Sequence, residues 1–168
     1  EVYQSHLLAQ GAGFNSMDSS VLHDGLHLMG QPVHIANCSF RNGALGLSNN
    51  CTPGNGHFSV LSSRFTQNET GMRIRAASRL TIRICVAEHN RVAFLIEDLQ
   101  GVATLRGGSA SNNQQFVLKV NGQQSAVLRV IDADLMYNHT AVEATGVNLR
   151  ARCSDFSHSS WGISASGH

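Results

Sequence analysis

The stretch Gly25 to Gly43, GLHLMGQPVHIANCSFRNG, constrains this chain more than any other, because the same pattern recurs with drift as far as the C-terminus. Apolar residues stand two apart at Leu26/Leu28 and again at Val33/Ile35, then come a small-then-large pair, Cys38/Phe40, and a polar residue, Asn42. A period of two is the signature of a strand with one face buried. Aligned on the first run, the pairs are Leu26/Leu28, Leu45/Leu47, Met72/Ile74, Ala93/Leu95, Phe116/Leu118, Val142/Ala144 and Ile163/Ala165. The second run gives Val33/Ile35, Phe58/Val60, Leu80/Ile82, Val102/Thr104, Ala126/Leu128 and Val147/Leu149. The third gives Ser20/Leu22, Cys38/Phe40, Ser63/Phe65, Cys85/Ala87, Gly108/Ala110, Ala133/Leu135 and Ser154/Phe156.

Each copy then reaches a polar residue: Asp24, Asn42, Asn68, Asn90, Asn113, Asn138 and Ser159. Asn tolerates the left-handed conformation that sharp bends need, and amides stacked in register hydrogen-bond to one another. Six steps from Asp24 to Ser159 average about 22.5 residues, enough for three short strands and their corners. No copy can bury its apolar edge until the next stacks on it. The sequence therefore predicts an all-β chain, a right-handed parallel β-helix of about seven coils with three strands each. At the spacing of strands in a sheet such a stack stands about 34 Å tall. Two insertions, Ser48 to Gly56 and around Asn121 to Gln124, are expected on the surface, where recognition loops usually lie.

The copies GLHLMGQPVHIANCSFRNG and TGMRIRAASRLTIRICVAEHN resemble the degenerate repeat of the pectin-lyase-like superfamily over about residues 20 to 165. The resemblance implies the fold and little about activity, since that superfamily holds lyases, hydrolases, epimerases, tailspikes, adhesins and structural modules. Gly54 to His57 and Arg73-Ile74-Arg75 look like two polygalacturonase motifs, but no acidic pair precedes them. No run matches the calcium-binding carboxylates of pectate lyases.

At 168 residues the chain is expected to be one domain, 1–168. With a net charge of +1 and 14% charged residues, its composition makes no electrostatic case for nucleic acid or an anionic membrane. No apolar run approaches the ~20 residues of a membrane span. Both ends are expected to be open, as in a segment of a longer chain or assembly, because solenoids need caps to stay soluble. Sequons at Asn37, Asn50, Asn68 and Asn138 are candidate glycosylation sites; Asn50, Asn68 and Asn138 are expected to be exposed, and Asn37 falls within a predicted strand. Of the four cysteines, Cys38 and Cys85 share an inward row two coils apart, too far to bridge, whereas Cys51 lies one coil from Cys38. A Cys38–Cys51 disulfide and free buried thiols are both open. Zinc-finger spacing is absent.

The candidate chemistry is a carboxylate trio. Asp132, Asp134 and Asp155 are predicted on one outward face with neighbours about 5 to 7 Å apart, near Arg152 and His158. Like charges at that range raise one pKa, and such a group serves glycoside hydrolysis or bridges a Ca²⁺; apart from that ion no cofactor is expected. The alternative is a solvated acidic patch. Sugar platforms nearby are limited to Tyr137 and Trp161, and Glu97-Asp98 reads as a turn. His23, His89, His139 and His158 fall at or beside the turn positions, too far apart to share a metal. Gly101 to Gly108 lacks the lysine and helix of a phosphate loop.

Three functions follow. The first is a non-catalytic, glycosylated, extracellular module of a surface fibre, coat or adhesin, with glycans or further copies of itself as partners. The second is a polysaccharide lyase, hydrolase or epimerase using Asp132, Asp134 and Asp155. The third is a trimeric tailspike or adhesin segment that binds glycans.

Overall fold

A computed structural model of the chain describes residues 33–51 and 56–166 in full, and the backbone of the strands at 2–3, 7–10, 13–15 and 24–29. The first coil holds β1 (Val2–Tyr3), β2 (Leu7–Gln10) and β3 (Gly13–Asn15), and the second holds β4 (Asp24–Met29), β5 (Val33–Ala36) and β6 (Ser39–Arg41). Next come β7 (Leu45–Asn50), β8 (His57–Leu61) and β9 (Arg64–Thr66), then β10 (Thr70–Arg75), β11 (Arg79–Arg83) and β12 (Val86–Glu88). The fifth coil is β13 (Val92–Leu99), β14 (Val102–Arg106) and β15 (Ser109–Ser111). After β16 (Phe116–Gly122) with β17 (Val127–Ile131), and β18 (Thr140–Thr145) with β19 (Asn148–Arg152), the third strand shrinks to a bridge at Asp134 and Asp155. β20 (Trp161–Ser166) closes the series.

Like strands stack on like, always parallel, in three sheets of eight, seven and five strands. The fold is a parallel β-solenoid, three strands to a coil, with no helix among the described residues, as the repeat predicts. Its interior is one continuous column in which Phe40, Phe58, Phe65 and Phe94 are fully buried. Phe40 and Phe65 lie opposite each other in register and stack at 5.0 Å, and Phe94 meets Phe65 edge-on at 5.7 Å.

The small-then-large row is as predicted from Cys38/Phe40 to Ser154/Phe156. In the first coil the backbone of Phe14 in β3 stands in register with Phe40; Ser20 and Leu22 lie outside the described residues. Elsewhere the predicted register slips. The first-sheet rows run Leu47, Met72, Phe94, Leu118, Val142, Ile163 and Asn49, Ile74, Ile96, Val120, Ala144, Ala165. Leu45/Leu47 and Phe116/Leu118 are thus two residues early, and Ala93/Leu95 one. In the second sheet Val102/Thr104 should be Ala103/Leu105, Ala126/Leu128 should be Leu128/Val130, and Val147/Leu149 should be Leu149/Ala151. The cause is at the corners, where consecutive residues are buried (Val92-Ala93-Phe94; Val117-Leu118), so the apolar run starts before the strand alternation does.

The polar row also moves by one place. Asn68, Asn90, Asn113 and Asn138 form a buried ladder: Asn68 Nδ2 donates to Phe40 O (3.1 Å) and to Asn90 Oδ1 (3.0 Å), and the next amides repeat the scheme. Backbone N–H groups donate to the same oxygens, Gly43 to Asn68 and Asn68 to Asn90. Ser159 ends the ladder, accepting from Asn138 N–H. Asn42 precedes the ladder position, which is Gly43 in its coil, and Asp24 opens β4 rather than a bend. The bends use the residue before each ladder amide. Asn42, Gln67, His89, Asn112, Tyr137 and His158 have φ of 55–59°. A second left-handed column, Asn37, Ser62, Ile84, Gly107, Asp132 and Cys153, turns the second sheet into the third. Beside it, Gly108 (φ 81°) leaves a Cβ only 2.1 Å from Cys85 O, so no other residue fits.

Candidate functional site

Two of the three candidate carboxylates come together. Asp134 bridges Asp155 in parallel register, so successive coils place these exposed groups about 4.8 Å apart at their Cα atoms. Asp132 does not share that row. Its left-handed backbone (φ 52°) puts it on the corner, with Oδ2 3.8 Å from Arg106 Nε. Asp155 also departs from expectation: the Ser157 backbone N–H, 2.8 Å from Oδ1, holds its pKa below the usual carboxylate value, helped by the Ser157 hydroxyl and His158. Arg152 belongs to the outward side of β19, opposite Ile131, and His158 stacks on exposed Tyr137 at 4.7 Å and 4°. Among the described residues no three His, Cys, Asp or Glu side chains are grouped to hold a metal ion. His89 and His158 occupy one corner column, three coils apart; His23 lies outside the described residues.

The cysteine and asparagine candidates separate by burial. Cys38 sits where β5 ends and Cys51 where β8 is about to begin, at opposite ends of two paired strands. Strands of this length set them roughly 15 Å apart, beyond a disulfide's reach. Cys38 Sγ donates to Ala36 O, and Cys51 Sγ accepts from Asn49 Nδ2. Cys85, buried, donates to Val60 O and Arg83 O, and burial pushes its pKa up to about 11. Of the sequons, Asn37 is exposed on a corner rather than inside a strand, and Asn50 is exposed at the end of β7. Asn68 and Asn138 are buried, contrary to expectation, with their amide nitrogens engaged in the ladder.

The insertions converge on a groove. The corner from first to second sheet varies in length, after Asn50, after Leu99 and after Gly122. There a cavity of about 760 Å³ is lined by Asn50, Gln100, Asn121, Gln123, Gln124 and Thr145, with Arg75 and Asp98 between. Both predicted insertions border it, although residues 52–55 lie outside the described residues. Arg75 Nε donates to Asp98 Oδ2 at 2.9 Å, and that bond raises the Arg75 pKa above its usual value. Asp98 (φ 53°) turns the chain, as its sequence position predicts, and its N–H donates to Asn121 Oδ1 at 2.7 Å. Asn148 Nδ2 holds the Gln124 carbonyl at 2.9 Å. Amides and a neutralised ion pair make donors and acceptors for hydroxyl groups, with no acid and base set against each other.

Stacked coils, an internal amide ladder and an amide-lined corner groove define the chain as a parallel β-solenoid. No protein family matches the chain, and no curated protein or solved structure matches it either. No helix among the described residues is long and apolar enough to cross a membrane.

Proposed function

We propose that the chain is a non-catalytic scaffold segment of an extracellular fibre, coat or adhesin, wound right-handedly in the manner of the pectin-lyase-like superfamily. The repeat pattern and the strong right-handed preference of parallel crossovers support that placement. The carrying observation is the edge strand β20. Trp161 (64% exposed) and Ile163 (43%) stand in rows that are buried at Thr140 and Val142 one coil below. Among the described residues this apolar strand edge has no neighbour on its far side, and such an edge is a template for another strand, so a second copy of the chain seats there. Sedimentation of the chain over a range of concentrations tests this. Elongated assemblies are expected for the wild type and a monomer for Ile163→Lys; a wild-type monomer throughout contradicts the reading.

The groove favours a second reading, glycan recognition by an adhesin or tailspike segment, for which Asn121→Ala should weaken retention of the chain on a glycan array. The enzyme reading rests on Asp134 and Asp155, with Asp132 tied to Arg106. Asp134→Asn would abolish turnover of an acidic glycan only if that reading holds. For glycosylation, Asn37 and Asn50 have the required exposure, and a mass shift on glycosidase treatment is the check.

A further inference from the structure

The outward side of the second sheet carries a charge pattern that the net charge of +1 conceals. Arg79 and Arg83 on β11, Arg106 on β14, Arg129 on β17, and Arg150 and Arg152 on β19 all project from it, every one exposed. They are half of the chain's twelve Lys and Arg residues, and no Asp or Glu lies among them on that side of β8, β11, β14, β17 or β19. Of the six cations elsewhere, five are matched. Arg64, Arg73, Arg75, Arg91 and Lys119 each meet a carboxylate at 2.7–3.7 Å. On this face Arg106 reaches Asp132 at the corner, 3.8 Å away, and the other five have no carboxylate partner among the described residues. Register sharpens the imbalance, for Arg83 lies directly opposite Arg106 and Arg129 opposite Arg150. Like charges directly opposite across a sheet repel. A solenoid that pairs its charges on its other sides leaves here a ladder of repulsion that an anion would relieve.

We infer that this face binds a linear sulfated polysaccharide. Guanidinium forks take sulfate and carboxylate oxygens in pairs, which suits an all-arginine surface. Charge density selects between the two. Six cations fall within four coils, a rise of roughly 14 Å. A sugar ring is about as long as a coil is tall, so one carboxylate per ring gives too few anions, whereas a chain sulfated more than once per ring matches. Half-buried Val102, Val127 and Ile131 lie between the arginines and offer apolar ground for the C–H faces of the rings. The outward positions of these strands hold no Phe, Tyr or Trp ring on which single-stranded bases could stack, and a flat sheet has no element to enter a duplex groove. The inference does not depend on whether β20 assembles with another coil.

Calorimetry on the whole chain tests it, with a heparin oligosaccharide, polygalacturonate, dextran and an oligothymidylate of matched charge as probes, at low and high salt. The heparin fragment should bind at low salt and be released at high salt. Arg129→Glu and Arg83→Glu should each weaken it by about tenfold or more. Both variants should melt no lower than the wild type, since each new carboxylate faces Arg150 or Arg106. Arg73→Gln, on the first sheet, should leave binding unchanged. Absence of heparin binding at low salt, indifference to both reversals, or equally tight binding of polygalacturonate or oligothymidylate overturns the inference.

Discussion

Among the described residues, left-handed backbone is concentrated at two corners of the coil, and it sets different costs for different side chains. Ile84 is the most strained of these residues: β-branched, 54% exposed, and held at φ 54° with nothing buried in return. Ile84→Asn should raise stability by about 1 kcal/mol in urea unfolding. The ladder amides work the other way. Asn90 donates to Phe65 O and Asn113 Oδ1 and accepts from the N–H and the amide of Asn68, so Asn90→Ala should cost roughly 2–4 kcal/mol. Asn49 sits fully buried in a row of apolar residues with its Oδ1 unsatisfied among the described residues, and Asn49→Leu should gain about 1 kcal/mol. For Cys85 the folded pKa is raised above the ordinary thiol value of 9.0 to about 11, so its contribution is whole below pH 9 and is lost as pH rises through that window. The ladder was legible in the sequence because an amide recurs once per coil and can both donate and accept at each step. The bends were placed one residue late because Gln67, His89, Asn112 and Tyr137 share a backbone conformation and no side-chain chemistry.

Within a strand, what matters is which neighbour a residue meets one coil away. Phe65 lies between the Phe40 ring and the edge of Phe94, so Phe65→Ala should cost about 3–5 kcal/mol and leave a cavity spanning three coils. Surface pairs such as Arg73–Glu97 and Lys119–Glu143 run across coils too, but in solvent each is worth at most about 1 kcal/mol. The predicted rows held where corners were plain, as in Leu80/Ile82, and slipped where the corner itself buried residues, as at Ala93 and Ala126. The arginine face was not legible for a related reason. Its members stand a coil apart in sequence, and only a correct register for Val102 to Arg106 puts Arg106 on the same side as the others. The carboxylate trio failed at Asp132 because outward alternation does not survive a left-handed residue.

A solenoid is stable as a sum of coils and the interfaces between them. Thr70 and Val92 occupy the same register position, so removing residues 70–91 and joining Glu69 to Val92 should leave a folded, shorter stack in which Asn68 meets Asn113. Circular dichroism of that variant should keep the strand signal and a cooperative melt at lower temperature. Everything from the groove to the arginine face depends on parallel coils in this register, and a cross-link reads it most directly. Ser59 and Thr81 face outward, directly opposite each other one coil apart, whereas Ser59 and Thr104 are two coils apart. In a Cys153→Ser background, Ser59→Cys with Thr81→Cys should oxidise to an intramolecular disulfide, since neighbouring strands set Cα atoms about 5 Å apart. Ser59→Cys with Thr104→Cys should stay reduced; a bridge in the second pair, or none in the first, would contradict the stack.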